Sequence, residues 1–127
     1  MKIFQHINDL KAELEAQGIT LDILMNPKAI LQPDKAFILD LEGSLERVAF
    51  GETYHITGRH GILVTLSYSD NIYAEMDEYI DKVLKAMNNV YDIVSLENFA
   101  YKVFAPQKIV VLYLMFGVRW VQWRYQV

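Results

Sequence analysis

The sequence predicts an α+β domain: a mixed or antiparallel sheet with two long strands, packed on two helices, in the order α-β-β-β-α-β-β. Three observations carry that reading. From Tyr54 to Tyr68 every even residue (Tyr54, Ile56, Gly58, His60, Ile62, Val64, Leu66, Tyr68) is apolar, aromatic, Gly or His, and the odd ones are nearly all polar. That is the period of a strand with one buried face. Ile72, Met76, Tyr79, Ile80, Val83, Leu84 and Met87 recur at helical spacing. Lys108 to Tyr125 forms a second long extended run, whose first half is apolar at both parities.

Along the chain, Ile3, Ile7, Leu10 and Leu14 place an amphipathic helix over residues 2–17, with Gly18 where a left-handed cap belongs. Ile19 to Ile23 alternates as a short extended piece before Asn26-Pro27 breaks it, and residues 27–33 read as a loop. Ala36 to Leu41 is a strand with Phe37, Leu39 and Leu41 facing one way, and Glu42-Gly43-Ser44 reads as a turn. Arg47 to Phe50 starts the next strand, which leads through Gly51 into the long one. Ser69, Asp70 and Asn71 supply capping side chains for the second helix, and Asn88-Asn89 ends it. On its outer face Glu78 with Lys82 and Asp81 with Lys85 stand at i, i+4 spacing. Phe99 to Phe104 is a strand, Ala105-Pro106-Gln107 a tight connection, and the long closing strand follows.

With 127 residues, 53% of them hydrophobic, the chain has enough material for one core and reads as a single domain over 1–127. It contains no cysteine, which excludes disulfides, thiolate nucleophiles and cysteine-held zinc, and fits folding in a reducing cytoplasm. Asp9, Glu13 and Glu15 near the start do not suit a signal peptide. The most apolar run, residues 109–118, is half the roughly 20 residues that a membrane-spanning helix needs. All sixteen acidic residues lie in 1–100, while 101–127 carries Lys102, Lys108, Arg119 and Arg124 with no acid. That asymmetry suits oriented docking, and four spread cations fall short of a nucleic-acid footprint.

His55, Arg59 and His60 form the one cluster with catalytic flavour. His55 and Arg59 share the polar face of the long strand, His60 takes the other, and no serine or carboxylate completes a triad. Polar cross-strand pairing or a subunit contact accounts for them better, so no catalytic residue is assigned and the chain is read as a non-enzyme. Asp77, Glu78 and Asp81 lack the loop geometry of a hard-cation site and read as a solvated helix face; no metal or cofactor is assigned. Gly58, Gly61 and Gly117 lie inside strands, where they suit bulges or bends rather than a phosphate cradle.

Length then argues for assembly. A strand from Tyr54 to Tyr68 spans about 50 Å, against a diameter of about 36 Å for a compact chain of this size. It must bend or leave the domain. Ile109, Val111, Tyr113 and Met115 on one face of the last strand and Val110, Leu112, Leu114 and Phe116 on the other both need cover. Two helices cover one face. Neighbouring copies are the expected cover for the second, the alternative being a sheet that curls over its own far side.

The leading helix Lys2 to Gln17, the strand Ala36 to Leu41, the run Tyr54-His55-Ile56-Thr57-Gly58-Arg59-His60-Gly61-Ile62-Leu63-Val64, the helix Ile72 to Met87 and the closing strand Ile109 to Tyr125 stand in an order and proportion that resembles the lambda-type bacteriophage tail terminator, or tail-completion, family and related head-to-tail joining proteins. The resemblance implies a hexameric ring in the neck of the virion, assembled in the host cytoplasm. Such a ring binds the last ring of tail tube protein, stops polymerisation, and offers a surface to a head-completion or connector protein, without membrane or specific nucleic acid. The interface residues expected on that reading are Phe50, Tyr54, His55, Arg59, Arg119, Trp120 and Arg124, chosen for exposure and residue type. The alternative from another class is a small homodimeric α+β ligand-binding or regulatory module.

Overall fold

The structure, a computed structural model, describes residues 3–22, 32–47 and 53–123. Its elements are α1 (Gln5–Ala16), β1 (Thr20–Asp22), β2 (Lys35–Arg47), β3 (Thr53–Ser67), α2 (Ile72–Asn88), β4 (Ile93–Phe104) and β5 (Ile109–Trp123). The order α-β-β-β-α-β-β and the α+β class are those the sequence predicts. The sheet is mixed, in spatial order β1-β2-β3-β5-β4, with β1 parallel to β2 and every other pair antiparallel. A bulge at Leu39 divides β2 into two straight halves, so the sheet has five strands, or six with those halves taken separately.

Helix α1 ends in a Schellman motif. The Gly18 amide donates to the Glu15 carbonyl at 3.0 Å and the Ile19 amide to the Leu14 carbonyl at 3.0 Å. The closing residue needs a left-handed conformation, and Gly18 supplies it at φ 82. Leu14 and Ile19 are both buried in the core, which adds the apolar contact usual for this cap. At α2 the cap differs from expectation. Asn71 is the N-cap residue but its side chain makes no cap bond. Ser69 does the work instead: its Oγ accepts from the Asn71 amide at 3.2 Å and donates to Glu75 Oε1 at 2.9 Å. Asn89 closes the far end, and on the outer face Glu78 and Lys82 pair at 3.5 Å. Asp81 and Lys85, at the same spacing, form no ion pair.

The turn expected at Glu42-Gly43-Ser44 does not form: β2 runs through it, paired residue for residue with β3 up to Arg47. The Leu39 bulge hides this in the sequence, because it reverses the facing of everything after it. Phe37 pairs with Leu63 on one face, whereas Leu41 pairs with His60 on the other, so Phe37, Leu39 and Leu41 do not share a side. The strand expected to begin at Phe99 begins at Ile93, with a second bulge at Glu97. Bulges therefore sit at Leu39 and Glu97, not at the strand glycines. Both lie level with Gly61 and Met115 at mid-sheet. The tight connection takes the form of a 3-10 turn over Ala105–Gln107, closed by Lys108 at φ 55. Residues 1–2, 23–31, 48–52 and 124–127, including Ile23, Asn26-Pro27, Phe50, Gly51 and Arg124, lie outside the described residues.

The alternation in β3 is realised as predicted. Ile56, His60, Ile62, Val64 and Leu66 are buried beneath both helices, together with Val110, Leu112, Leu114, Phe116, Val118 and Trp120 of β5. Leu10 and Leu14 of α1 and Ile72, Met76, Val83, Ala86 and Met87 of α2 close over them. The long strand does not leave the domain alone, since all fifteen residues of β3 pair with β5 and most pair with β2.

The second face overturns the expectation that neighbouring copies must shelter β5. Ile109 is 3% exposed and Val111 9%, while Tyr113 and Met115 are half-buried, all within one chain. Phe37 lies on this face at 1% exposure, beside buried Thr65. Thr65 Oγ1 accepts from the Lys35 amide at 3.0 Å and donates to the Gln32 carbonyl at 2.5 Å, and so fixes the start of β2. This predicts that Phe37→Ala costs about 3–5 kcal/mol of unfolding free energy, as for other buried aromatics. Urea denaturation of the dilute protein measures it, and a loss below about 1 kcal/mol would mean that the face is open in the single chain.

Candidate functional site

Pairing of β3 with β5 sorts the polar residues of the upper sheet into two sites. On the face away from the helices lie His55, Thr57 and Arg59 of β3 and Arg119 of β5. Thr57, Arg59 and Arg119, with Glu42, Ser95 and Glu97, line an open groove of about 650 Å³, and His55 lies just beyond it on the same face. His55 and Arg59 share this face, as the period-two reading requires, but each has a separate partner. Arg119 Nη2 donates to His55 Nδ1 at 2.6 Å, which leaves the proton of a neutral His55 on Nε2. Arg59 Nε lies 3.3 Å from Glu97 Oε2. The Glu97 bulge aims this carboxylate across Gly117, where a Cβ would collide with it. Solvent-exposed pairs of this kind contribute about 0–1 kcal/mol each; they set the charge pattern of the groove rather than its stability.

Beneath the helices lies a cluster that the sequence reading missed. His6 of α1, His60 of β3, Trp120 of β5 and Tyr91, which follows α2, pack as four rings, with His6 and Trp120 centroids 4.3 Å apart. The Tyr91 hydroxyl lies 2.6 Å from His6 Nδ1 and 3.0 Å from His60 Nε2. One hydroxyl carries one proton, so Tyr91 donates to one imidazole and accepts from the other. Either way, His6 Nε2 and His60 Nδ1 are left without a protein partner, as is Trp120 Nε1. A cavity of about 200 Å³ beside them is lined by His6, Trp120, Phe4, Leu45 and Ile56. The signal for His6 was present: His6, Leu10 and Leu14 are the buried stripe of α1, four residues apart, with Ile7 only half-buried.

Trp120 is therefore a core residue and not the surface anchor expected of it. Tyr54 is half-buried; His55, Arg59 and Arg119 reach the surface; Phe50 and Arg124 lie outside the described residues. Among the described residues no cluster of three or more metal-ligating side chains occurs, and no helix is long and apolar enough to cross a membrane.

A third feature is apolar. Phe99, Tyr101 and Val103 of β4 are 65%, 48% and 40% exposed, on the same face as α2 but beyond its cover. The Tyr101 hydroxyl meets that of Tyr73 on α2 at 3.2 Å, with the rings near perpendicular. At the opposite edge of the same face Leu45 of β2 is 46% exposed, and exposed Phe4 shares its cavity. Comparison of the chain with known family models finds no match, and comparison with curated proteins finds none.

Burial lowers the pKa of His6 and His60 from 6.5 to about 4; Asp9 opposes the shift at His6, and His6 adds to it at His60. Burial also raises that of Tyr91, so the hydroxyl keeps its proton. Both imidazoles are neutral in the folded chain. Between pH 6.5 and 4 the unfolded chain takes up protons that the folded chain refuses, so stability is full above 6.5 and falls through that window. The expected loss approaches about 3 kcal/mol per histidine at its lower end. Urea midpoints from about pH 7.5 to about 5 follow it, and His60→Leu should flatten the slope. Tyr91→Phe, which strips both imidazoles of their shared partner, should cost about 1–3 kcal/mol at neutral pH.

Proposed function

We propose that this chain is a structural virion protein that forms a ring at the head-proximal end of a phage tail tube, where it stops tube polymerisation and provides the head-docking surface. The observation that carries this reading is the placement of exposed apolar side chains. Phe99, Tyr101 and Val103 stand at one edge of the sheet and Leu45 with Phe4 at the other, on one face. Two different sticky edges on one subunit make a head-to-tail contact, and a head-to-tail contact that closes makes a ring.

Two further features support it. The element order and proportions are those that resemble the tail-terminator family. The upper half of the sheet carries His55, Arg59 and Arg119 on its face away from the helices, a surface suited to docking by charge pattern on a tube or connector protein. The mechanism is surface complementarity, with no bond made or broken.

The cavity beside His6 and Trp120 favours the alternative, a homodimeric ligand-binding module, because it joins apolar walls to unpaired nitrogens. Particle mass separates the two. Native mass spectrometry should give about six copies per particle; two copies would favour the module, and a single copy would sink both. Added to polymerising tail tube protein from the same phage, the ring should shorten the tubes in proportion to its concentration, and tubes of unchanged length would defeat the terminator reading.

A further inference from the structure

Among the described residues the sheet has two free edges. Strand β1 covers β2 only as far as Phe37, so from residue 38 to Arg47 the outer edge of β2 has no partner among the described residues. Strand β4 ends the sheet on the other side, and its outer edge is likewise unpaired among the described residues. Long exposed edges bearing large apolar side chains are what soluble proteins otherwise blunt or cover. Among the described residues both remain, and they match.

Resting on the ring reading above, we propose that neighbouring copies join their sheets edge to edge, β2 of one copy pairing antiparallel with β4 of the next, with Glu42 opposite Lys102, Gly43 opposite Tyr101, Ser44 opposite Ala100 and Leu45 opposite Phe99. Direction permits it: β2, β3, β5 and β4 alternate in sense, so a rotated copy brings its β2 antiparallel to β4. The faces agree at each of these positions. Gly43 and Leu45 share the helix side of the sheet with Gly58 and Ile56, as Tyr101 and Phe99 do with Leu112 and Leu114. Glu42 and Ser44 lie on the other side, as do Lys102 and Ala100.

Charge excludes one neighbouring register and the Glu97 bulge the other. A shift of two residues keeps the faces but sets Lys102 against Ser44, or runs Leu45 into the Glu97 bulge. Gly43, without a side chain, leaves its space to the Tyr101 ring, a pairing that aromatic residues favour across strands. The match also fixes a stagger. Lys102 lies level with Val111 and Glu42 with Gly117, an offset of about six residues across four strands. At usual strand spacings that tilts the strands by about 45°, the upper end of the range found in closed sheets. A copy of the same chain is thus the occupant that brings the right charge, the right face and a closing geometry to both edges at once.

The chain has no native cysteine, so disulfide trapping tests the contact directly. Ser44 and Ala100 are exposed, and directly opposed strand residues have Cα atoms about 4.5–5.5 Å apart, within disulfide reach. Mixed Ser44→Cys and Ala100→Cys proteins should give a crosslinked pair on oxidation, and the double variant a ladder ending at the ring. Glu42→Lys should weaken assembly about tenfold or more, as like charges meet, and Lys102→Glu on that background should restore it. Ala100→Cys crosslinking to itself would indicate a two-fold contact and overturn the proposal. Full-sized rings with no crosslink, or no rescue by the second charge change, would overturn the edge pairing and leave the ring reading standing. A single-copy particle would defeat both.

Discussion

The antiparallel pairing of β3 with β5, unbroken over fifteen residues, is the constraint from which the remaining placements follow. Side chains on paired strands alternate together, so one register decides every facing at once. It sets His60 and Trp120 beneath α1, where Tyr91 can reach them, and His55, Arg59 and Arg119 on the opposite side. A slip of one residue would carry the apolar set of β3 into water and drive an arginine under the helices. The polar-apolar alternation of β3 resists such a slip, whereas lower β5, apolar at both parities, takes its register from β3.

The buried ring cluster shows what the core tolerates in exchange for holding α1 down. Two imidazoles and an indole are desolvated, and three of their nitrogens have no partner among the described residues. The Tyr91 hydroxyl offsets part of that cost by serving both histidines. Because the shared hydroxyl has a single proton, the two rings cannot act independently: the tautomer of one fixes that of the other.

Much of this was legible in the sequence. The period-two pattern of residues 54–68 located β3 and its buried face, and the stripe from Ile72 to Met87 located α2 almost to the residue. Gly18 marked the end of α1. What stayed hidden has a common cause, which is displacement of the period. The bulge at Leu39 inverts the phase of β2, so Glu42-Gly43-Ser44 resembled a turn although it is mid-strand. The bulge at Glu97 and the exposed residues around it disguised the first half of β4 in the same way. Cover for the far face of β5 was also out of reach, since buried Phe37 and Thr65 come to it only through tertiary pairing. At the candidate sites, parity put His55 and Arg59 on one face, where they lie, and Arg119, chosen for exposure and residue type, reaches the surface beside them. Trp120 was misplaced, because residue type says an indole anchors something and does not say whether that is a partner or the core.

The two bulges lie level with each other on opposite flanks of the central pair, and so draw a single crease across the sheet. Below it β3 and β5 are packed on both sides; above it the face away from the helices is polar and charged. Strand length above the crease is therefore a free variable. Residues added two at a time at the tip of the ladder, beyond Ile56 and Trp120, preserve every facing and leave the packing beneath α1 as it is. Such a sheet can change its length at one end alone while its core stays as it is.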